Sequence, residues 1–199
     1  MVKIALTGGA ATGKSYVLEQ LRRAGVPTLV ADDLAHGVTA AGTEATAAIA
    51  ARFGADVLAP DGSVNREVLG PVVFADAAAR RELEAIDHPA VYRAIEAGLR
   101  AFEKSGDAVA VVEIPLLYES GHAQDFDRVI VTACSPETQL ARLVERGISE
   151  GRARQVLAAQ KPTAEKAAQA DYVIQTGGAK AETDLQVRAL IQQLRLPLP

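Results

Sequence analysis

Gly8-Gly9-Ala10-Ala11-Thr12-Gly13-Lys14-Ser15 fits G-x-x-x-x-G-K-[ST], the pattern of a phosphate-binding loop. Its flanks suit it. Val2-Lys3-Ile4-Ala5-Leu6-Thr7 is a short, mostly apolar run that reads as a buried strand. Residues 15–23 follow, with Val17, Leu18 and Leu21 at helical spacing. Gly8 and Gly13 lack a Cβ, so the backbone can turn tightly and approach a ligand closely. Successive N–H groups then face one concavity suited to anionic oxygens, and the helix that starts near Gly13 adds its positive dipole end. In such a loop Lys14 reaches the β- and γ-phosphates and the Ser15 hydroxyl ligates Mg²⁺. A purine nucleoside triphosphate is the leading ligand, and the loop does not say what happens to it.

The rest of the composition narrows the setting. The chain has 199 residues, enough for one good core with a small inserted lobe. It is 49% hydrophobic and 23% charged, as soluble globular proteins are. Net charge is −4 with no block of Lys and Arg, which disfavours a nucleic-acid partner. Cys134 is the one cysteine, so no intrachain disulfide and no thiolate zinc cluster is expected. No charged segment followed by an apolar one opens the chain, and no run reaches the ~18 apolar residues of a membrane span. A cytoplasmic protein with no membrane partner is expected, as a monomer or weak homo-oligomer.

Further along, 28–31 reads as a second buried strand ending at Asp32-Asp33. Carboxylates at a strand's carboxyl end lie where open α/β sheets bind ligands. The β-α rhythm then breaks. Residues 43–53 form an alanine-rich helix, 66–69 a short one and 76–86 a charged one. His88-Pro89 reads as a break before a helix over 89–104. Strands follow at 108–113, 129–133 and 171–174. Between the last two, 136–146 is a helix carrying Gln139, Arg142 and Arg146, and a polar helix runs from 149 towards Lys161-Pro162. A closing helix spans 183–194, and Leu196-Pro197-Leu198-Pro199 reads as a frayed tail. The fold class is α/β: a five-stranded parallel sheet flanked by helices, with a helical insert and a mobile arginine-bearing segment, the arrangement of a small kinase of the nucleoside-monophosphate-kinase type. Residues 1–41 and 106–199 form the core and 42–105 the insert.

Phosphoryl transfer needs positioning, charge neutralisation and a group to orient or deprotonate the acceptor. Asp32 is the candidate base, from a strand expected beside the loop's own; capping the next helix is the alternative. Glu113 either holds Mg²⁺ or caps a loop. Arg142 and Arg146 either neutralise the transferred phosphoryl group or form a solvated helix face. His88 is either an acceptor contact or a helix-entry residue.

Taken together, several segments resemble one family, the dephospho-coenzyme A kinases. They are Leu6-Thr7-Gly8-Gly9 with Gly13-Lys14-Ser15, Val30-Ala31-Asp32-Asp33-Leu34-Ala35, Phe53-Gly54, and Asp61-Gly62 with Asn65-Arg66 and Leu69. Val73-Phe74, Leu83-Glu84-x-Ile86-x-His88-Pro89, Ile114-Pro115-Leu116-Leu117-Tyr118-Glu119, Gln139-x-x-Arg142 and Ala170-Asp171 complete the set. The resemblance implies an acceptor-binding lobe over 42–105, a lid over 135–160, and ATP with Mg²⁺ phosphorylating the ribose 3′-hydroxyl of dephospho-coenzyme A. It implies catalytic roles for Asp32, Lys14 and Arg142. Nucleotide binding falls to Gly8, Gly9, Ala11, Thr12, Gly13, Lys14, Ser15, Tyr16, Arg142 and Arg146. Acceptor binding falls to Asp32, Arg66, His88, Pro115 and Leu116, and the metal to Ser15 and Glu113. The alternatives are another nucleoside-monophosphate-type kinase and a non-catalytic nucleotide-binding regulator. Five positions depart from the family pattern: Ala11 for glycine, Tyr16 for threonine, Val30 for aspartate, Glu113 for aspartate and Thr176 for asparagine. If residue 11 needs positive φ, alanine there costs nucleotide affinity.

Overall fold

A computed structural model describes residues 1–195; the tail Leu196-Pro197-Leu198-Pro199 lies outside the described residues. The chain divides into two compact units, Met1–Leu29 with Phe102–Pro199, and Val30–Ala101. In chain order the elements are β1 (Val2–Gly8), α1 (Lys14–Arg23), β2 (Thr28–Val30), α2 (Ala31–Val38), α3 (Glu44–Phe53), α4 (Arg66–Ala75) and α5 (Ala77–Lys104). They continue with β3 (Val109–Glu113), β4 (Arg128–Ala133), α6 (Pro136–Glu145), α7 (Glu150–Ala158), α8 (Thr163–Ala167), β5 (Tyr172–Gln175) and α9 (Lys180–Arg195).

The first unit is built on the five-stranded sheet, in the order β2-β3-β1-β4-β5. The pairs β1–β3, β1–β4 and β4–β5 are parallel. Ile4, Leu6, Val111, Val112, Ile130 and Val131 are fully buried, which is why these strands read as unbroken apolar runs instead of alternating ones. The chain fills one side of β1 with β2 and β3, then the other with β4 and β5. The carboxyl end of β1 is thus a topological switch point, the crevice where such sheets bind ligands. Register puts Leu6 beside Glu113 and Gly8 beside Thr132.

One expectation fails here. β2 does not neighbour the loop strand β1, because β3 lies between them. The reason is burial. β3 is five residues long with four buried, whereas β2 is three residues, none fully buried, which suits a sheet edge.

The second unit is helical around Ile49, Val57 and Leu69, with Phe53, Val64, Val73, Leu83 and Ile86 packed on them. Thr43 caps α3 by accepting from Thr46 N at 3.2 Å, and Asn65 caps α4 by accepting from Glu67 N at 3.1 Å. α4 runs on to Ala75, past the expected end at residue 69. The unit starts at Val30, so it takes in α2 as well as the helices after residue 42. The break expected at His88-Pro89 is absent, and α5 is continuous through Pro89. An interior proline costs about 3 kcal/mol. Buried side chains on both sides of it, Ala79 before and Ala90, Val91, Ile95 and Leu99 after, hold the helix through that point.

Candidate active site

The loop between β1 and α1 has the closed shape its motif requires. Gly13 is the N-cap of α1 at φ 86°, a left-handed conformation that glycine adopts without strain. Lys14 Nζ donates to the Gly8 and Gly9 carbonyls at 3.2 and 3.0 Å, so the ammonium is held inside the loop. The Thr12 hydroxyl donates to the Gly9 carbonyl at 2.8 Å and lies 2.7 Å from the Thr132 hydroxyl on β4. Ser15 is exposed in the first turn of α1.

Ala11 has φ 57°, the unfavourable case, and is the one non-glycine residue at positive φ among the described residues. The left-handed conformation costs alanine about 1–2 kcal/mol. Its methyl group is buried with Leu143 and Ala153, however, and a buried methyl contributes about 0.8 kcal/mol. Glycine would also add about 0.4–1 kcal/mol of unfolded-chain entropy to be lost on folding. These effects nearly cancel. Ala11→Gly is therefore expected to change stability by less than about 1 kcal/mol, a Tm shift within roughly 4 °C by calorimetry. A larger rise would mean that the strain is not offset by packing.

Arg142 from α6 donates through Nη1 to the Ala11 carbonyl at 3.2 Å and through Nη2 to the Thr176 carbonyl at 2.5 Å. Its Nη1 also lies 3.7 Å from Cys134 Sγ. Burial pushes the Cys134 thiol up despite the nearby guanidinium. Arg146 is at the C-cap of α6, one residue past the helix. It joins Arg142, Gly13, Tyr16, Thr176 and Lys180 around a cavity of about 290 Å³ beside the loop. The Thr176 hydroxyl is already engaged: it donates to the Thr12 carbonyl at 2.6 Å and to the Ala133 carbonyl at 3.2 Å. Thr176 thus supports the loop. Tyr16 ties α1 to α9, its hydroxyl donating to Asp184 Oδ1 at 2.7 Å, and that bond holds the phenol above its ordinary value.

Past β3, Glu113 is buried at the strand's end. The Pro115 carbonyl accepts from Thr7 Oγ1 at 3.2 Å and from Lys166 Nζ at 3.3 Å, and the Leu116 side chain is exposed. Lys166 of α8 is completely buried and pairs with Glu119 at 2.7 Å. Burial alone would push Glu119 up. The hydrogen bonds from Lys166 and from Lys161 N pull harder, leaving the carboxyl below its usual range. Lys166 was not anticipated. Its neighbours Glu165 and Ala164 make it look like part of a solvated helix, and α8 itself falls where the expected polar helix ends.

In the second unit Asp32 is exposed and sits in the first turn of α2. Val30 is the N-cap and no side chain caps the helix, so Asp32 does not serve as a cap. His36 Nδ1 donates to the Asp32 carbonyl at 2.7 Å. Arg66 Nη2 donates to Thr39 Oγ1 at 3.2 Å, and His88 is exposed on α5. Asp87, which sequence reasoning passed over, is half-buried, and its Oδ1 has no hydrogen-bond partner among the described residues. Burial pushes its carboxyl up against the pull of Arg66 and His88. One residue beside His88-Pro89 in the sequence, it had no signal of its own.

The geometry invites comparison with known proteins. The family model for dephospho-CoA kinase matches residues 2–182. A dephospho-CoA kinase of Geobacter metallireducens is 48% identical over 192 residues, covering 96% of this chain and 95% of the relative. A crystal structure from Thermus thermophilus superimposes with a TM-score of 0.82 at 28% identity, covering 97% of each chain. The dephospho-CoA kinase of Campylobacter jejuni superimposes with a TM-score of 0.72 at 27% identity, covering 96% of each. With a phosphate loop of this shape and matches of this extent, the chain belongs to the dephospho-CoA kinase family.

Proposed function

We propose that this protein transfers the γ-phosphoryl group of ATP to the ribose 3′-hydroxyl of dephospho-CoA, giving CoA and ADP. The observation that carries this reading is the preformed loop, with Lys14 held by the Gly8 and Gly9 carbonyls, inside a chain matched along residues 2–182. Lys14 and the loop amides bind the β- and γ-phosphates. Arg142 and Arg146 face the nucleotide beside Thr176 and Lys180. Asp32 accepts the proton of the attacking hydroxyl, and Arg66, His88, Pro115 and Leu116 hold the acceptor. Residues 42–105 serve as its binding lobe and 135–160 as the lid.

Magnesium suits the residues present. No cluster of three His, Cys, Asp or Glu side chains able to hold a metal occurs among the described residues. Mg²⁺ takes oxygen ligands and is usually held by one or two protein oxygens together with substrate phosphates and water. The Ser15 hydroxyl and the Glu113 carboxylate are such donors. Bound there, the ion would neutralise charge on the β- and γ-phosphates. Among the described residues no helix is long and apolar enough to cross a membrane, and we read the protein as a cytoplasmic monomer or weak homo-oligomer.

A coupled ADP-release assay with dephospho-CoA, AMP, CMP or no acceptor tests the reading. Release that depends on dephospho-CoA is expected. Release with AMP or CMP alone would identify a nucleoside monophosphate kinase, and no acceptor-dependent release would identify a nucleotide-binding regulator.

A further inference from the structure

The Gly9–Ala10 peptide is gripped at both ends. Its carbonyl is the hub of the phosphate loop, accepting from Lys14 Nζ at 3.0 Å, Thr12 Oγ1 at 2.8 Å and Thr12 N at 3.4 Å. Its N–H donates to Gln160 Oε1 at 2.9 Å. Gln160 lies 150 residues away, in the link between α7 and α8. The next carbonyl is held too: Gln139 Nε2 donates to Ala10 O at 2.6 Å, and Thr163 Oγ1 donates to Gln139 Oε1 at 3.2 Å, which fixes which way the Gln139 amide faces. The approach is so close that a Cβ on Gly9 would lie 2.4 Å from Thr163 Oγ1 and 2.5 Å from Gln139 Nε2.

A trans peptide is planar, with its N–H and C=O pointing in opposite directions. An acceptor on the Ala10 N–H therefore sets the direction of the Gly9 carbonyl, and that carbonyl sets the place of the Lys14 ammonium. Loss of the acceptor leaves the peptide held only through its carbonyl, so its orientation is less tightly fixed, with an alanine at positive φ next to it. We infer that Gln160 is a positioning residue for Lys14: through the Gly9–Ala10 peptide it holds the ammonium where ATP phosphates are bound. Gln160 bonds the N–H edge of the peptide, opposite the carbonyl edge that holds Lys14. The inference rests on the reading of the loop as an ATP site and adds to it a residue that the loop motif does not contain.

The test is a double-mutant cycle on ATP binding, measured by calorimetry without acceptor. Gln160→Met keeps the length of the side chain and removes the acceptor. It is expected to weaken ATP binding roughly 3- to 10-fold, the worth of one hydrogen bond. In a Lys14→Met background the same change is expected to weaken binding no further, because the group it positions is gone. The KM for dephospho-CoA should be unchanged. Additive losses in the cycle, or an unchanged ATP affinity in Gln160→Met, would overturn the inference, since packing alone would act with or without Lys14. If Gln160→Met lowers Tm sharply, Gln160→Ala takes its place in the same cycle. Failure of the wild-type protein to bind ATP would instead overturn the kinase reading.

Discussion

Asp32→Asn is expected to lower dephospho-CoA-dependent ADP release roughly 10²-fold or more while leaving ATP affinity unchanged, the loss that follows removal of a general base. Asparagine keeps the size and hydrogen-bonding reach of aspartate but cannot take a proton at neutral pH. The placement of Asp32 makes the comparison clean. Its side chain is exposed and caps no helix, since Val30 is the N-cap of α2. Substitution therefore removes neither a cap nor core packing. The only structural effect expected is the loss of a favourable charge near the helix N-terminus, about 0.3–1 kcal/mol. Stability and ATP binding are the two controls, and turnover is the readout. Turnover equal to wild type would take Asp32 out of the base role and leave the acceptor hydroxyl to be oriented by other groups.

Lys14→Ala should damage both binding and rate. The ammonium is held by two carbonyls of the loop, at 3.2 and 3.0 Å, and is the group that meets the β- and γ-phosphates. A hydrogen bond to a charged group contributes about 1.5–3 kcal/mol, which corresponds to roughly a 10- to 150-fold loss of ATP affinity. The rate should fall further than the affinity, because negative charge redistributes towards the leaving β-phosphate as the bond breaks. Lys14→Arg should not restore it. A planar guanidinium cannot place a compact charge between the Gly8 and Gly9 carbonyls. Calorimetric ATP binding and single-turnover rates would check both statements, and wild-type kinetics in Lys14→Ala would contradict the assignment of the loop. This prediction and that for Asp32 have distinct signatures: one variant loses nucleotide and rate together, the other rate alone.

Whether a feature could be read from the chain depended on how local its cause is. The loop was legible because the residues that define its motif lie within eight positions of one another: glycine where φ is positive at 13, and a lysine at the first position of the helix that folds back on the loop. The sheet strands were legible for a similar reason, since burial on both faces leaves continuous apolar runs such as Val109-Ala110-Val111-Val112. Strand order was not. It depends on which strand lies beside β1, and the short, half-buried β2 gave way to β3. Pro89 misled because local chemistry argues for a break there, while packing along α5 outweighs it. Gln160, Thr163, Lys166 and Asp87 stand in polar stretches that look solvated. Lys166 becomes a buried ion-pair partner, and Gln160 a grip on the phosphate loop, only when α8 folds against the sheet. Ala11 shows both sides at once. Its departure from glycine was visible in the chain, but its positive φ, and the burial of its methyl beside Leu143 and Ala153 that offsets the strain, are properties of long-range packing.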